Sequence, residues 1–193
     1  MNAGKIFLAG KEKAVQDLAK ATDACEVDDE ILSLVTLINQ SDSYYTSSSC
    51  AGRILIIELP KLGDKRNAVF LGRWHHPITT DEIKNALKNQ QRAMVWLLAQ
   101  APIIHVTCRS LETAEKLVKC ANSCGFKNSS IRSVSKRIVV ELASTERLDT
   151  PLCYQGNILY SEEQLELVVE IANQIIYRAR EKINRLEKKI RDL

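Results

Sequence analysis

A chain of 193 residues is long enough to bury one substantial core, and with 45% apolar and 26% charged residues wholesale disorder is excluded. The net charge of +3 is too small to mark a nucleic-acid protein by itself, although charge can gather on one face. The longest apolar runs, "ILIIEL" and "MVWLLA", fall far short of the roughly 20 residues that span a bilayer, and "MNAGKIFLAGKEK" has no signal-peptide core. The expectation is therefore an intracellular, cytoplasmic protein with no membrane partner.

In chain order, residues 5 to about 21 space Phe7, Leu8, Ala14, Val15, Leu18 and Ala19 by threes and fours, which predicts an amphipathic helix loosened by Gly10. "DDEILSLVTLINQ" predicts a second helix, with carboxylates at its start and Ile31, Leu34, Val35 and Ile38 on one face. "SDSYYTSSSCAG" carries many hydroxyls that compete for backbone hydrogen bonds and reads as a loop. It leads into the strand "RILIIEL", stopped by Pro60. Across the turn "KLGDKRN", "AVFLGRWHH" completes an antiparallel hairpin, in which alternation sends Trp74 and His76 to one face and Arg73 and His75 to the other.

Thr79 and Glu82 have the spacing of a capping box, so "TDEIKNALKNQ" is a short helix. "AMVWLLA" and "PIIHVTC" follow as strands parted by Pro102. A third clear helix has Ser110 as N-cap, Leu111, Ala114, Leu117, Val118 and Ala121 as its stripe, and Gly125 as terminator. The strand "KRIVVEL" echoes "GRILIIEL", each after a serine-rich basic loop; the echo is either a weak duplication or the ordinary likeness of β-rich segments. Ser161 and Gln164 form a further capping box opening a helix of about 30 residues, about 161–193 and about 45 Å long. Its first half is broadly apolar. Its second half narrows to Ala179, Ile183, Leu186, Ile190 and Leu193 among basic residues, a stripe expected to project from the core or to pair, giving a monomer or a homodimer.

There is no glycine-rich dinucleotide fingerprint, no P-loop, no His-Glu-x-x-His and no metal-ligand spacing. Six cysteines without a Cys-x-x-Cys pair argue against a zinc ribbon, and Cys120 with Cys124 lacks two further ligands, so most are read as buried thiols. In "YYTSSSCAGR" the small residues, hydroxyls and Arg53 suit an anion, while a solvated turn is the plain alternative. Cys50 has no neighbouring histidine in the sequence to support a cysteine hydrolase. His105 lies in mid-strand, and Arg109 ends that strand just before a helix start, as in an anion site. Lys127, Arg132, Lys136 and Arg137, with Arg53 and Arg73, compose one basic face suited to RNA, with Tyr44, Tyr45 and Trp74 as stacking surfaces.

Five separated motifs in order, "YYTSSSCAGRI", "LGRWHHPI", "PIIHVTCRSLETAEKL", "GFKNSSI" and "STERLDTPL", closely resemble the tRNA wybutosine-synthesizing protein 3 family over nearly the whole chain. The resemblance implies S-adenosylmethionine-dependent N4-methylation of a wyosine-type tricyclic guanosine beside the anticodon of phenylalanine tRNA. It also implies one domain over 1–193 with an α+β fold: duplicated halves, a largely antiparallel, barrel-like sheet wrapped by helices, and not a Rossmann fold. By position it carries over Ser49, Cys50, Gly52, Arg53, His75, His105, Arg109 and Ser129, with His75 or His105 handling the proton and Cys50 structural or lining the ligand. Ala51 stands where the family commonly has serine, and Ser130 where it has glycine. The reading of a different class is a non-catalytic tRNA-binding module that assists a partner enzyme.

Overall fold

The computed structural model describes residues 3–91, 93–191 and 193. Its elements are α1 (Ala3–Asp23), α2 (Asp29–Gln40), β1 (Tyr44–Cys50), β2 (Arg53–Leu59), β3 (Val69–Trp74), α3 (Thr80–Leu87), β4 (Met94–Gln100), β5 (Ile103–Cys108), α4 (Leu111–Ser123), β6 (Ser130–Ser133), β7 (Ile138–Ala143), β8 (Arg147–Tyr154), β9 (Asn157–Ile158) and α5 (Glu162–Ile190). The fold is α+β, every strand pairing is antiparallel, and the long C-terminal helix is present. Two compact units share the chain: Met1–Ala51, Pro102–Thr145 and Arg180–Leu193 form the first, Gly52–Ala101 and Glu146–Ala179 the second.

The first unit is built on a four-stranded sheet in the order β1-β5-β7-β6. Alternation gives β5 and β7 one apolar face, with Ile104, Val106, Val140 and Leu142 fully buried. That face packs against Ile31, Leu34 and Ile38 of α2 and Leu117 and Ala121 of α4. The end of α5 joins the same cluster through Ile183, Leu186 and Ile190, buried to 1%, 0% and 8% exposure. Of the narrow C-terminal stripe, Ile183, Leu186 and Ile190 are therefore covered by this unit's own core, while Leu193 is 46% exposed. Gly125, at φ +103°, ends α4 in a left-handed conformation against the Lys182 stem, where a side chain would be strained.

The stretch "YYTSSSC" is strand β1, a correction to the loop expectation. Its hydroxyls do not break it because the strand has β5 on one side and α2 beneath it. Thr46 faces inward, buried, and exchanges hydrogen bonds with Asn39 at 2.7–3.2 Å. A bulge at Ser47 shifts the register and sets Ser48 opposite His105. Likewise α1 is one continuous helix: Gly10 makes room for the Tyr45 hydroxyl, with which a side chain there would collide.

The second unit holds a five-stranded sheet, β3-β2-β4-β8-β9. The expected hairpin is β2 with β3, and β2, paired on both edges, buries Ile54 and Ile56 fully. Both halves of the Thr79–Glu82 capping box are made at the start of α3. The Ser161–Gln164 box opens α5, whose Leu165, Val169 and Ala172 complete this unit's core. Asn173 ties α5 to the chain before α3 by accepting from Ile78 N and donating to Ile78 O, at 2.7 and 2.8 Å.

Candidate functional site

The face of the first unit's sheet opposite its apolar core carries a row of polar side chains, one from each strand. The Ser48 Oγ on β1 lies 2.9 Å from His105 Nδ1 on β5. His105 Nε2 lies 3.0 Å from Glu141 Oε2 on β7, and the other Glu141 oxygen is bonded by Arg132 of β6. Pairing explains the row: Ser48, His105 and Glu141 are direct cross-strand neighbours, so their side chains leave the sheet on one side.

The electrostatics fix the tautomer. The Arg132 guanidinium, and then His105, hold the Glu141 carboxyl below the usual carboxylate range against the opposing effect of burial. An ionised carboxylate only accepts, so His105 Nε2 carries the hydrogen and donates it to Glu141. When the ring carries that one hydrogen only, Nδ1 is an acceptor and the Ser48 hydroxyl donates to it. Ser48 is exposed and His105 about one-third exposed, so the oxygen of Ser48 offers its second lone pair to whatever meets this face.

Around the row the expected residues take distinct places. Ser49 and Cys50 are half-buried at the end of β1, and Ala51 is buried, its N–H donating to Asp28 Oδ2 at 2.9 Å. A hydroxyl at 51 would be buried too, so the contribution of that position here is its main chain. Ser129 donates to Phe126 O at 2.7 Å and accepts from Ala143 N at 3.3 Å, which commits its hydroxyl to closing the turn before β6. Arg109 is exposed at the end of β5, where its N–H bonds Ser43 O. Tyr44 and Tyr45 are 4% and 1% exposed, so the expected stacking role is corrected for both. Tyr44 donates to Thr113 O, and Tyr45 packs on Phe7 with ring centroids 5.2 Å apart.

In the second unit, Gly52 takes φ +100° between β1 and β2, a conformation suited to glycine. Arg53 is half-buried, its Nε donating to Gln100 Oε1 at 3.0 Å, which leaves the outer N–H groups of the fork in a fixed orientation. Trp74 is half-buried, its ring lying over Gly72 and against the core. His75 and His76 form a bend after β3 rather than continuing it, so the expected alternation stops at Trp74. Arg73 stands over the exposed Phe70 ring at 5.0 Å.

Sequence reasoning missed Ser48, Glu141 and Gln100 as partners of His105 and Arg53. Only the parity of Glu141 within "KRIVVEL" hinted that it leaves the core face. The four buried thiols, Cys108, Cys120, Cys124 and Cys153, agree with expectation, and burial pushes those of Cys108 and Cys153 up to about 12 and about 11.

The family model described as "Methyltransferase TYW3" matches residues 9–192. A Pyrococcus furiosus protein named tRNA(Phe) 7-((3-amino-3-carboxypropyl)-4-demethylwyosine(37)-N(4))-methyltransferase 1 is 44% identical over 191 residues, 98% of this chain and 97% of its own. A Methanocaldococcus jannaschii protein named as the same kind of methyltransferase is 37% identical over 191 residues, 97% of this chain and 98% of its own. The solved structure of the PH1069 protein from Pyrococcus horikoshii superposes with a TM-score of 0.93 at 44% identity, covering 98% of each chain.

Proposed function

This chain belongs to the TYW3 methyltransferase family, and from that premise we propose that it methylates N4 of a 4-demethylwyosine-type base at position 37 of phenylalanine tRNA, with S-adenosylmethionine as donor. The observation that carries the proposal is that relatives named for this reaction match nearly end to end at 37–45% identity. In this reading residues 1–193 act as a single family domain working on tRNA in the cytoplasm.

The donor set fits such a methyl donor in one respect: Arg53, steadied by Gln100, presents a guanidinium suited to a carboxylate like that of the donor's amino-acid end. When bound, S-adenosylmethionine supplies an electrophilic methyl group. What the chain contributes is position and the proton. As the ring nitrogen gains its methyl, its N–H proton passes to Ser48 Oγ, and the Ser48 proton passes to His105 Nδ1. The imidazolium so formed is held by Glu141. Of the two histidines carried over from the family, His105 has a hydroxyl and a carboxylate on its ring nitrogens, and it is the one we assign to the proton.

The test combines purified protein, precursor phenylalanine tRNA and S-adenosylmethionine, and reads the nucleoside by mass. One added methyl group, sharply reduced in Arg53→Ala, is expected. Binding of tRNA with neither donor binding nor methyl transfer would instead establish the non-catalytic RNA-binding module.

A further inference from the structure

The first unit contains a cavity of about 150 Å³, walled by Ile6 and Phe7 of α1, Thr107 to Arg109 at the end of β5, two residues beyond His105, and residues 134–138 leading into β7. We propose that this cavity seats a phosphate of the RNA backbone, a second contact with the substrate assigned above, and on that reading it rests.

Four features of the cavity select an anion of this size. Arg109, Lys136 and Arg137 all line it, and none makes an ion pair among the described residues, whereas Arg132 on the same sheet is taken by Glu141. Three exposed, uncompensated cations around one hollow repel one another until an anion enters. No acidic side chain lines the cavity, and the first turn of α1, which includes Ile6, carries none. Thr107, 2% exposed, is among the residues that line the cavity, and its buried hydroxyl has no hydrogen-bond partner within the protein, which is costly unless a ligand reaches it. Finally, about 150 Å³ is well below the roughly 300 Å³ at which small-molecule pockets begin, and suits a phosphate group but not a whole nucleoside. Phe7 closes the inner wall, so the phosphate loses water on one side and keeps its chain continuation on the open side.

The experiment measures tRNA binding by fluorescence anisotropy over a series of salt concentrations, without methyl donor, so that it does not depend on catalysis. Lys136→Gln and Arg137→Gln are each expected to weaken binding about three- to tenfold and to reduce the salt slope by about one unit. Thr107→Val is expected to weaken binding a few-fold with the slope unchanged, while the free protein melts at the same temperature or higher because an unpaired buried hydroxyl has gone. A purely structural Thr107 would instead lower the melting temperature and leave affinity alone. Titration with inorganic phosphate, followed by the Thr107 amide and methyl resonances, identifies the source: shifts that tRNA competes away support the backbone phosphate, and shifts that tRNA leaves untouched overturn it in favour of a free phosphate ligand. Unaltered tRNA affinity and slope in Lys136→Gln and Arg137→Gln sink the cavity proposal alone. No tRNA binding by the unsubstituted protein sinks the proposed function with it.

Discussion

Glu58 in the second unit and Glu141 in the first are both strand carboxylates withdrawn from water, and they are satisfied in opposite ways. Glu58, 2% exposed, takes its hydrogen bonds from main chain: Gln91 N reaches both oxygens at 2.8 Å, and Ala93 N reaches one at 2.8 Å. Glu141 takes its own from the side chains of His105 and Arg132. A carboxylate held by backbone N–H groups closes a turn and cannot pass its influence on. One held by a titratable ring orients that ring, here towards an exposed serine. On the proposed mechanism, the difference separates an acid that closes a turn from one that serves the chemistry.

Substitutions should keep the two apart. The largest effect is expected for His105→Ala, which removes the proposed proton acceptor: methyl transfer falls about 100-fold or more at unchanged tRNA affinity, read as kcat against KM. Glu58→Ala should do the reverse, lowering stability by about 3 kcal/mol in a denaturant titration because buried N–H groups lose their acceptor, with full activity per folded molecule. Loss of activity in folded Glu58→Ala would break the comparison. Arg132→Gln, removing an exposed partner, is expected to cost only a few-fold in kcat, with His105 still bonded to Glu141.

The smallest effect is on acid stability. The folded-state pKa of Glu141 is lowered, so the group adds stability above the ordinary value of 4.5 that is lost as the pH falls through the folded value. Glu141→Gln should therefore be less stable than the parent near neutrality and converge with it in acid, as followed by melting temperature against pH. Parallel curves would mean that the Arg132 and His105 bonds contribute nothing to folding.

Much of the fold was legible from the chain. The capping boxes at Thr79 and Ser161 and the N-cap at Ser110 are made as read, because each is settled within one helical turn. The hairpin of β2 and β3 is likewise local. The strands β6 and β8 went unread: β6 has only four residues, and β8 carries Pro151 and charged positions that mask its period. β1 was misread because serine and threonine favour turns on their own, and only its register against β5 and its seat on α2 outweigh that preference. The same limit made Tyr45 a stacking candidate, since nothing local tells an exposed ring from one roofed by α1.

For the candidate site, local order and family likeness pointed to His105, Arg53 and Arg109 one at a time. What they bond was decided elsewhere. Residues 48, 105 and 141 are far apart in the chain and become neighbours only when three strands align and a bulge at Ser47 shifts one of them. Helix caps, periodic stripes and turns were determined by the sequence itself, because their energies come from residues within four positions of one another. The Ser48–His105–Glu141 row, the burial of the C-terminal stripe and the basic cavity were decided by tertiary structure alone, because each depends on register and packing between segments that no local pattern relates.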